Sequence, residues 1–372
     1  MATIIFRPTE ACNASCSYCY VVHRDSRVAK TMSLDTLELL FVRINEFLID
    51  RPNDKMGLIW HGGEPLILGP QYFEKAIEFQ KKHCVRTSSR IRHAIQSNLT
   101  LLTVDLVNVL KKLGIITVGS SCDPFSNLRG LGKTADAAEY NRRYLDGVEL
   151  LKKEGMECGI IYVVTKLSVD KPLDIFHYLT DLGVSGPIDF SPVIIDNDKL
   201  KNLKITAEEF TDFLGAIFPV WWRNRSRYPD IGPFSTLVRN LLDGDRRLTC
   251  YDSGRCAYMF INLSPDGRLS HCNRSSDWNL LDYGTIHEKT LSQALSDPKR
   301  KTLFDRNRVL FEGECRGCRF WNICHGGCPM YSWHETGSFM HKSFLCGAKK
   351  DFIEKYVEPM IHGQSNGKSG RL

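Results

Sequence analysis

ATIIFRPTEACNASCSYC, residues 2–19, sets a short β-rich run against three cysteines, Cys12, Cys16 and Cys19, at C-x3-C-x2-C spacing. The run TIIF (3–6) reads as a strand, so the cysteines occupy the loop that follows its C-terminal end. Three thiolates within eight residues can hold three corners of a 4Fe–4S cluster and leave the fourth iron open. A structural zinc would need a fourth protein ligand, which His23 could supply, so spacing alone leaves both metals open.

Moving outward, the same strand-then-loop unit recurs. GLIW (57–60), IRHAIQ (91–96), IITVG (115–119), CGIIYVV (158–164) and PIDFSPV (187–193) read as strands. Helix-period segments separate them at 33–49, 69–83, 103–114, 137–155 and 169–183, with Ser33 as an N-cap and Gly114, Gly155 and Gly183 at C′ positions. About six such alternations predict βαβ crossovers and a parallel sheet or partial barrel, with chemistry at the C-terminal strand ends. Near residue 200 the rhythm changes. Helices are expected over 205–225 and 233–244, and a hairpin turning at Pro265-Asp266-Gly267 over 260–272. The Gly/Ser-rich end, 362–372, reads as a disordered tail.

The chain has 372 residues, 42% hydrophobic and 25% charged, which are globular values. Its net charge of +6 is small for this length and spread along the chain, so neither nucleic-acid nor membrane binding is indicated. There is no apolar run of eighteen residues and no signal-like apolar start. Fourteen cysteines in such a chain point to metal or redox chemistry in a reducing, cytoplasmic setting rather than to disulfides. Cys84, Cys122 and Cys158 stand alone and read as small buried hydrophobes. The other eight lie late: Cys250, Cys256 and Cys272, then Cys315, Cys318, Cys324, Cys328 and Cys346. Eight thiolates suffice for two 4Fe–4S clusters, although C-x2-C is equally a zinc spacing.

The C-x3-C-x2-C loop with Tyr18 before its last cysteine resembles the signature of radical S-adenosylmethionine (SAM) enzymes. The resemblance implies that Cys12, Cys16 and Cys19 hold a cluster whose open iron chelates the methionine part of SAM. Reduction then yields a 5′-deoxyadenosyl radical that takes a hydrogen atom from substrate, while the protein binds and orients. Further matches follow at successive strand ends. Gly62-Gly63-Glu64 is similar to the GGE motif that contacts the SAM amino group, the glycines being expected to let backbone approach the ligand. Ser97 and Asn98 are similar to the motif flanking SAM. Ser121 and Asp123 stand in the place of S-x-D-G-P, with Pro124 where a glycine is usual. By the same resemblance Arg129 is expected to be the SAM-carboxylate arginine, the Tyr18 backbone to line SAM and Ile194 to pack on adenine.

The late cysteines resemble the SPASM domain of radical SAM peptide-modifying enzymes. By that pattern Cys250, Cys256, Cys272 and Cys328 hold auxiliary cluster I, and Cys315, Cys318, Cys324 and Cys346 hold auxiliary cluster II, giving three 4Fe–4S clusters and SAM as cofactors. The implied architecture is α/β: a partial (β/α)6 radical SAM barrel over 1–200, a helical bridge over 201–248, a Cys-rich SPASM auxiliary-cluster domain over 249–350, and a C-terminal helix and tail over 351–372. The implied partners are a precursor peptide or target protein and an electron donor such as a reductase, flavodoxin or ferredoxin.

The whole chain looks most like anaerobic sulfatase-maturating enzymes, which oxidise a Cys or Ser to formylglycine. In that family an Asp general base follows the third upstream cysteine; here it is Asn273, whose amide oxygen is hardly basic. Asp123, Asp252 and Asp277 are alternative carboxylates. The departure favours a radical SAM maturase that forms a cross-link, cyclophane or related C–H modification on a ribosomal peptide. His61, before the GGE, is also reminiscent of such maturases. Formylglycine formation is the second expectation, and a zinc or iron–sulfur scaffold or electron-transfer protein the third.

Overall fold

The computed structural model describes residues 1–19, 21, 29–195, 198–245 and 247–363. His23 and the tail from 364 on lie outside the described residues. In chain order the strands are β1 (Ala2–Thr9), β2 (Met56–Gly62), β3 (Ile91–Gln96), β4 (Thr117–Ser121), β5 (Glu157–Val164), β6 (Ile188–Pro192), β7 (Ile231–Gly232), β8 (Phe260–Leu263), β9 (Arg268–Ser270) and β10 (Asp282–Thr285). The main helices are α1 (Leu34–Asp50), α2 (Gly69–His83), α3 (Val104–Lys112), α4 (Ala137–Lys153), α5 (Pro172–Asp181), α6 (Ala207–Arg223) and α7 (Phe234–Asp243). Strand and helix alternate from β1 to α6, as the periodicity predicts. The chain divides into two compact units, Met1–Gly159 with Arg255–Phe304, and Ile160–Gly254 with Asp305 onward.

In the first unit β1 to β4 lie side by side in chain order and run parallel. Ile4 faces Leu58 and Phe6 faces Trp60 across the β1–β2 ladder. These four side chains are wholly buried, as expected where crossover helices cover a parallel sheet. Trp60 anchors this core between Phe6 and Phe73, each with ring centroids 4.8 Å away, and its Nε1 donates to His93 Nδ1 at 3.1 Å. The Ser33 hydroxyl accepts the Thr36 N–H at 3.2 Å and fixes where α1 begins.

The hairpin read from sequence forms between β8 and β9. It is joined to the barrel strands rather than set apart, because β8 runs parallel to β1, with Ile4 opposite Ile261. β10 adds antiparallel to β9. Compactness therefore groups 255–304 with the N-terminal strands.

In the second unit β5, β6 and β7 are parallel neighbours, β7 being a two-residue strand with no sequence signal. α6 starts in a full capping box between Thr206 and Glu209. Its Phe218 packs on Phe234 of α7 and on Phe352 of the helix Cys346–Phe352, at 5.4 and 5.7 Å between centroids. Among the described residues no helix is long and apolar enough to cross a membrane.

Candidate functional site

β1 delivers the chain directly into the first cysteine loop, which is held on two sides. Ser15 N–H donates to Gly130 O and Ser17 N–H to Leu128 O, both at 2.8 Å, and Gly132 N–H donates to Asn13 O at 2.9 Å. Ala14 and Leu131 form an antiparallel bridge. The segment after β4 thus lies as a strand against the loop. On the other side Gly63 N–H donates to Thr9 O at 3.0 Å and Glu64 N–H to Ala11 O at 2.8 Å. A Cβ at Gly62 would fall 2.3 Å from Thr9 O, and at Gly63 2.2 Å from Ala11 O. The glycine pair is thus required for the end of β2 to press on the cysteine loop.

All fourteen cysteines are free thiols. Burial pushes Cys12 up to about 12, with Glu64, Cys19 and Cys16 adding to the rise, while the Ala14 N–H at 3.4 Å opposes it. Cys16 is also raised by burial, against the pull of Arg129, and by Cys19. Cys12 and Cys16 therefore each feel the charge of other thiols of the loop. A bound metal centre would supply the positive charge that lets them ionise, so this donor set fits one. Among the described residues no three His, Cys, Asp or Glu side chains are grouped for a single metal ion. One zinc would need its sulfurs about 2.3 Å from one point. A cubane offers each thiolate its own iron.

Several other predicted residues converge on this loop. Glu64 is buried and accepts from Ser97 Oγ at 2.9 Å, Leu66 N–H at 3.0 Å and Asn98 N–H at 2.6 Å. Burial raises it to about 7 against these donors. Asn98 Nδ2 donates to Asn13 Oδ1 at 2.9 Å and lies 4.0 Å from Cys12 Sγ. Arg129 Nε donates to the Tyr18 hydroxyl at 2.8 Å and Nη1 to the Tyr140 hydroxyl at 3.3 Å. Asp123 is buried; its Oδ2 accepts from Ser126 Oγ at 2.5 Å, its Oδ1 has no partner among the described residues, and burial raises its pKa. Ser121 is half-buried at the end of β4.

Asn273 opens the short helix Asn273–Asp277 and is buried, its Oδ1 without a partner among the described residues. One turn on, Asp277 is held by Arg7 at 2.7 Å, with both side chains buried. His61 Nδ1 accepts the Gly62 N–H at 2.8 Å, so the neutral ring carries its proton on Nε2. Burial and the charge of Arg7 lower His61 to about 4.

Of the late cysteines, Cys256 and Cys272 belong to the first unit. Both influence Tyr283 and the wholly buried Arg300, whose guanidinium donates to the carbonyls of Ala257, Ala294 and Phe260. Cys250 and Cys328 belong to the second unit. There Cys315, Cys318, Cys324 and Cys346 line one cavity with Lys349 and Lys350. Burial raises Cys315, and the other three thiols add to it. That arrangement fits a four-thiolate centre. Asp252 of this unit is ion-paired with Lys349. Ile194, half-buried after β6, is also in this unit.

A second cavity of about 120 Å³ in the same unit is mostly apolar, and is lined by Phe190, Leu214, Asp189, Asp252, Cys324 and Cys328 among others. Burial and, secondarily, Asp252 raise Asp189 to about 6. Sequence reasoning missed Asp189, although an acid inside the apolar run PIDFSPV was a usable signal. It also missed Arg7 and Arg300, which nothing in their local sequence sets apart.

Residues 6–179 match the Radical SAM superfamily model. Over nearly its whole length the chain is 24% identical to a cysteine-type anaerobic sulfatase-maturating enzyme of Clostridium perfringens, covering 98% of each. Its fold matches the solved structure of native anSMEcpe with bound AdoMet and Cp18Cys peptide, with a TM-score of 0.80 at 22% identity over 99% of this chain and 100% of that one. It also matches Streptococcus suis SuiB bound to its precursor peptide SuiA, with a TM-score of 0.61 at 17% identity over 92% and 75%.

Proposed function

From the premise that the chain is a radical SAM enzyme, we propose that it acts on a ribosomal precursor peptide, taking a hydrogen atom from one residue and forming a cross-link, cyclophane or related C–H modification. When bound, the reduced cluster would supply the electron that cleaves SAM, SAM the carbon-centred oxidant that takes one hydrogen atom, and an oxidised cluster the acceptor for the electron released as the link closes, with the second hydrogen leaving as a proton to solvent; the chain's task is to hold them and the peptide. Cys12, Cys16 and Cys19 are the ligands we assign to the SAM centre. Tyr18, Gly62, Gly63, Glu64, Ser97, Asn98, Ser121, Arg129 and Ile194 make up the SAM surroundings in this reading. Cys250, Cys256, Cys272 and Cys328, and Cys315, Cys318, Cys324 and Cys346, are assigned to two further clusters. An exposed iron needs a low-potential electron donor and a reducing compartment, which supports a cytoplasmic setting.

The observation that carries the peptide C–H reading is Asn273. A buried amide stands where a base would be needed to take a thiol or hydroxyl proton, and the carboxylate one turn away is engaged by Arg7. The reduced protein, SAM and the precursor peptide encoded beside its gene are expected to give a peptide lacking two hydrogens per link and inert to carbonyl reagents. Abundant 5′-deoxyadenosine with an unchanged peptide contradicts the proposal.

The full-length likeness to a sulfatase-maturating enzyme favours a second reading, formylglycine formation. Asp123, buried with a raised pKa, is then the base. A peptide bearing C/S-x-P/A-x-R would gain an aldehyde and label with carbonyl reagents.

A further inference from the structure

We propose that the surface beside the cavity of Cys315, Cys318, Cys324 and Cys346 is the docking face for an acidic one-electron carrier protein of the flavodoxin kind, which takes up the electron released as each link closes. The inference deepens the proposed function and rests on the reading that those four cysteines hold a 4Fe–4S cluster.

The argument is one of uncompensated charge beside thiols that lie near the surface. Cys318, Cys324 and Cys346 are half-buried, and the exposed Arg316 stands between Cys315 and Cys318 in the chain. Lys350, also exposed, lines the cavity with the four thiols. Lys342 is exposed and is brought to the same place by Glu314, the residue before Cys315, whose Oε2 accepts the Lys342 N–H at 2.9 Å. Among the described residues none of these three cations makes an ion pair. Neighbouring cations do: Arg319 with Glu354 and Glu358, Arg308 with Glu312, and Lys349 with Asp252. Those acids are thus taken, and Glu314 is itself hydrogen-bonded to His341 Nδ1 at 2.8 Å. Arg316, Lys342 and Lys350 are left for a counter-charge from outside the chain. An aromatic pair adjoins them. Phe311 is exposed, and its ring centre lies 5.3 Å from that of Trp321, which lines the cavity. Cations beside an exposed aromatic complement an acidic partner: the charges steer the encounter, and the ring is covered on docking.

A centre whose four thiolates all come from the chain has no iron open to a small ligand, so what it can exchange is electrons. Each link closed leaves one electron on the auxiliary clusters and one proton in solvent. The oxidised flavin of the carrier accepts that electron and leaves one-electron reduced, and the clusters return to their oxidised form.

The test uses anaerobically reconstituted holoprotein and purified oxidised flavodoxin. Calorimetric titration at low and high salt reads binding. Stopped-flow mixing with holoprotein reduced by titanium(III) citrate and then desalted reads electron transfer from the flavin absorbance. Arg316→Glu and Lys342→Glu are each expected to weaken binding at low salt by about fivefold or more, to slow transfer in proportion, and to flatten the salt dependence. Iron content and reduction by titanium(III) citrate are expected to match the wild type. Arg223→Glu makes the same charge change on α6, at an exposed residue that does not line this cavity, and is expected to behave as wild type. Loss of iron from Arg316→Glu would leave Lys342→Glu to decide. Unchanged binding and transfer in the variants, an equal loss in Arg223→Glu, or no complex between flavodoxin and the wild type would each overturn the assignment. A Cys318→Ser protein that keeps the full iron content of the wild type would defeat the cluster reading itself, a separate and recognisable failure.

Discussion

Arg7 and Asp277 form a buried ion pair linking β1 to the helix after Cys272, with both side chains less than a tenth exposed. Removing one partner leaves an uncompensated buried charge, which typically costs about 3–5 kcal/mol. Arg7→Met is therefore expected to lower the unfolding midpoint strongly. Arg7→Met with Asp277→Leu should recover part of the loss, as coupled neighbours do. Equal losses in the single and double variants would show that the pair is not the cause.

Acid sensitivity has its origin in single residues too. Burial lowers His61 and His93 to about 4 and His271 to about 3, the charge of Arg7 adding at His61 and that of Arg300 at His271. The unfolded chain binds protons at these imidazoles from the ordinary value of 6.5 downward, and the folded chain does not. Their contribution is full above 6.5 and is lost as pH falls toward 4. Glu64, raised to about 7, runs the other way, losing stability as pH rises from 4.5. Asp189 and Asp123, also raised by burial, act in the same direction as Glu64, so a variant is needed to separate the imidazoles from the carboxylates. His93→Gln isolates the effect away from any metal. His93 Nδ1 accepts from Trp60 and its Nε2 faces Gln80 Oε1 at 2.7 Å, roles an amide can fill. Relative to wild type, the midpoint of that variant is expected to lose less as pH drops from 6.5 to 4.5; an identical pH dependence contradicts the assignment.

At the scale of elements, the cysteine loop takes its shape from its two neighbours. Gly63→Ala would drive a Cβ into the Ala11 carbonyl and displace the loop that carries Cys12. Iron content should fall by up to about four atoms per chain, the N-terminal cluster, while the late cysteines keep theirs. Full iron loading in Gly63→Ala would refute this account of the glycine pair. Strands and helices were legible because periodicity and caps are local: Ser33 and the β-rich run of β1 are written in adjacent residues. The clamp of 128–132 on 13–17 was not legible. It joins two irregular loops more than a hundred residues apart, neither with a strand pattern of its own. The parallel pairing of β8 with β1 was hidden likewise, since a hairpin signal says nothing about which strand it joins.

At the scale of the whole molecule, cysteine spacing carried more of the site than composition did. Eleven of fourteen thiols fall into ligand-like groups, and the three solitary ones, Cys84, Cys122 and Cys158, are buried as expected of small hydrophobes. Glu64, Ser97, Asn98 and Arg129, which the family resemblance sets beside SAM, gather about the first loop. Their hydrogen-bond roles depend on side-chain packing that sequence order does not encode. Asp189 and the cavity beside it emerge only when β6, α6 and the Cys346–Phe352 helix come together. The central claim is that Cys12, Cys16 and Cys19 hold a 4Fe–4S cluster with one iron open to SAM. Mössbauer and paramagnetic resonance spectra of the anaerobically loaded protein, with and without SAM, test it most directly against the variant in which all three are alanine. The account predicts about 12 irons per wild-type chain, about 8 in the variant, and a SAM-induced spectral change in the wild type alone. Equal iron in both proteins, or zinc on those thiols, would contradict it.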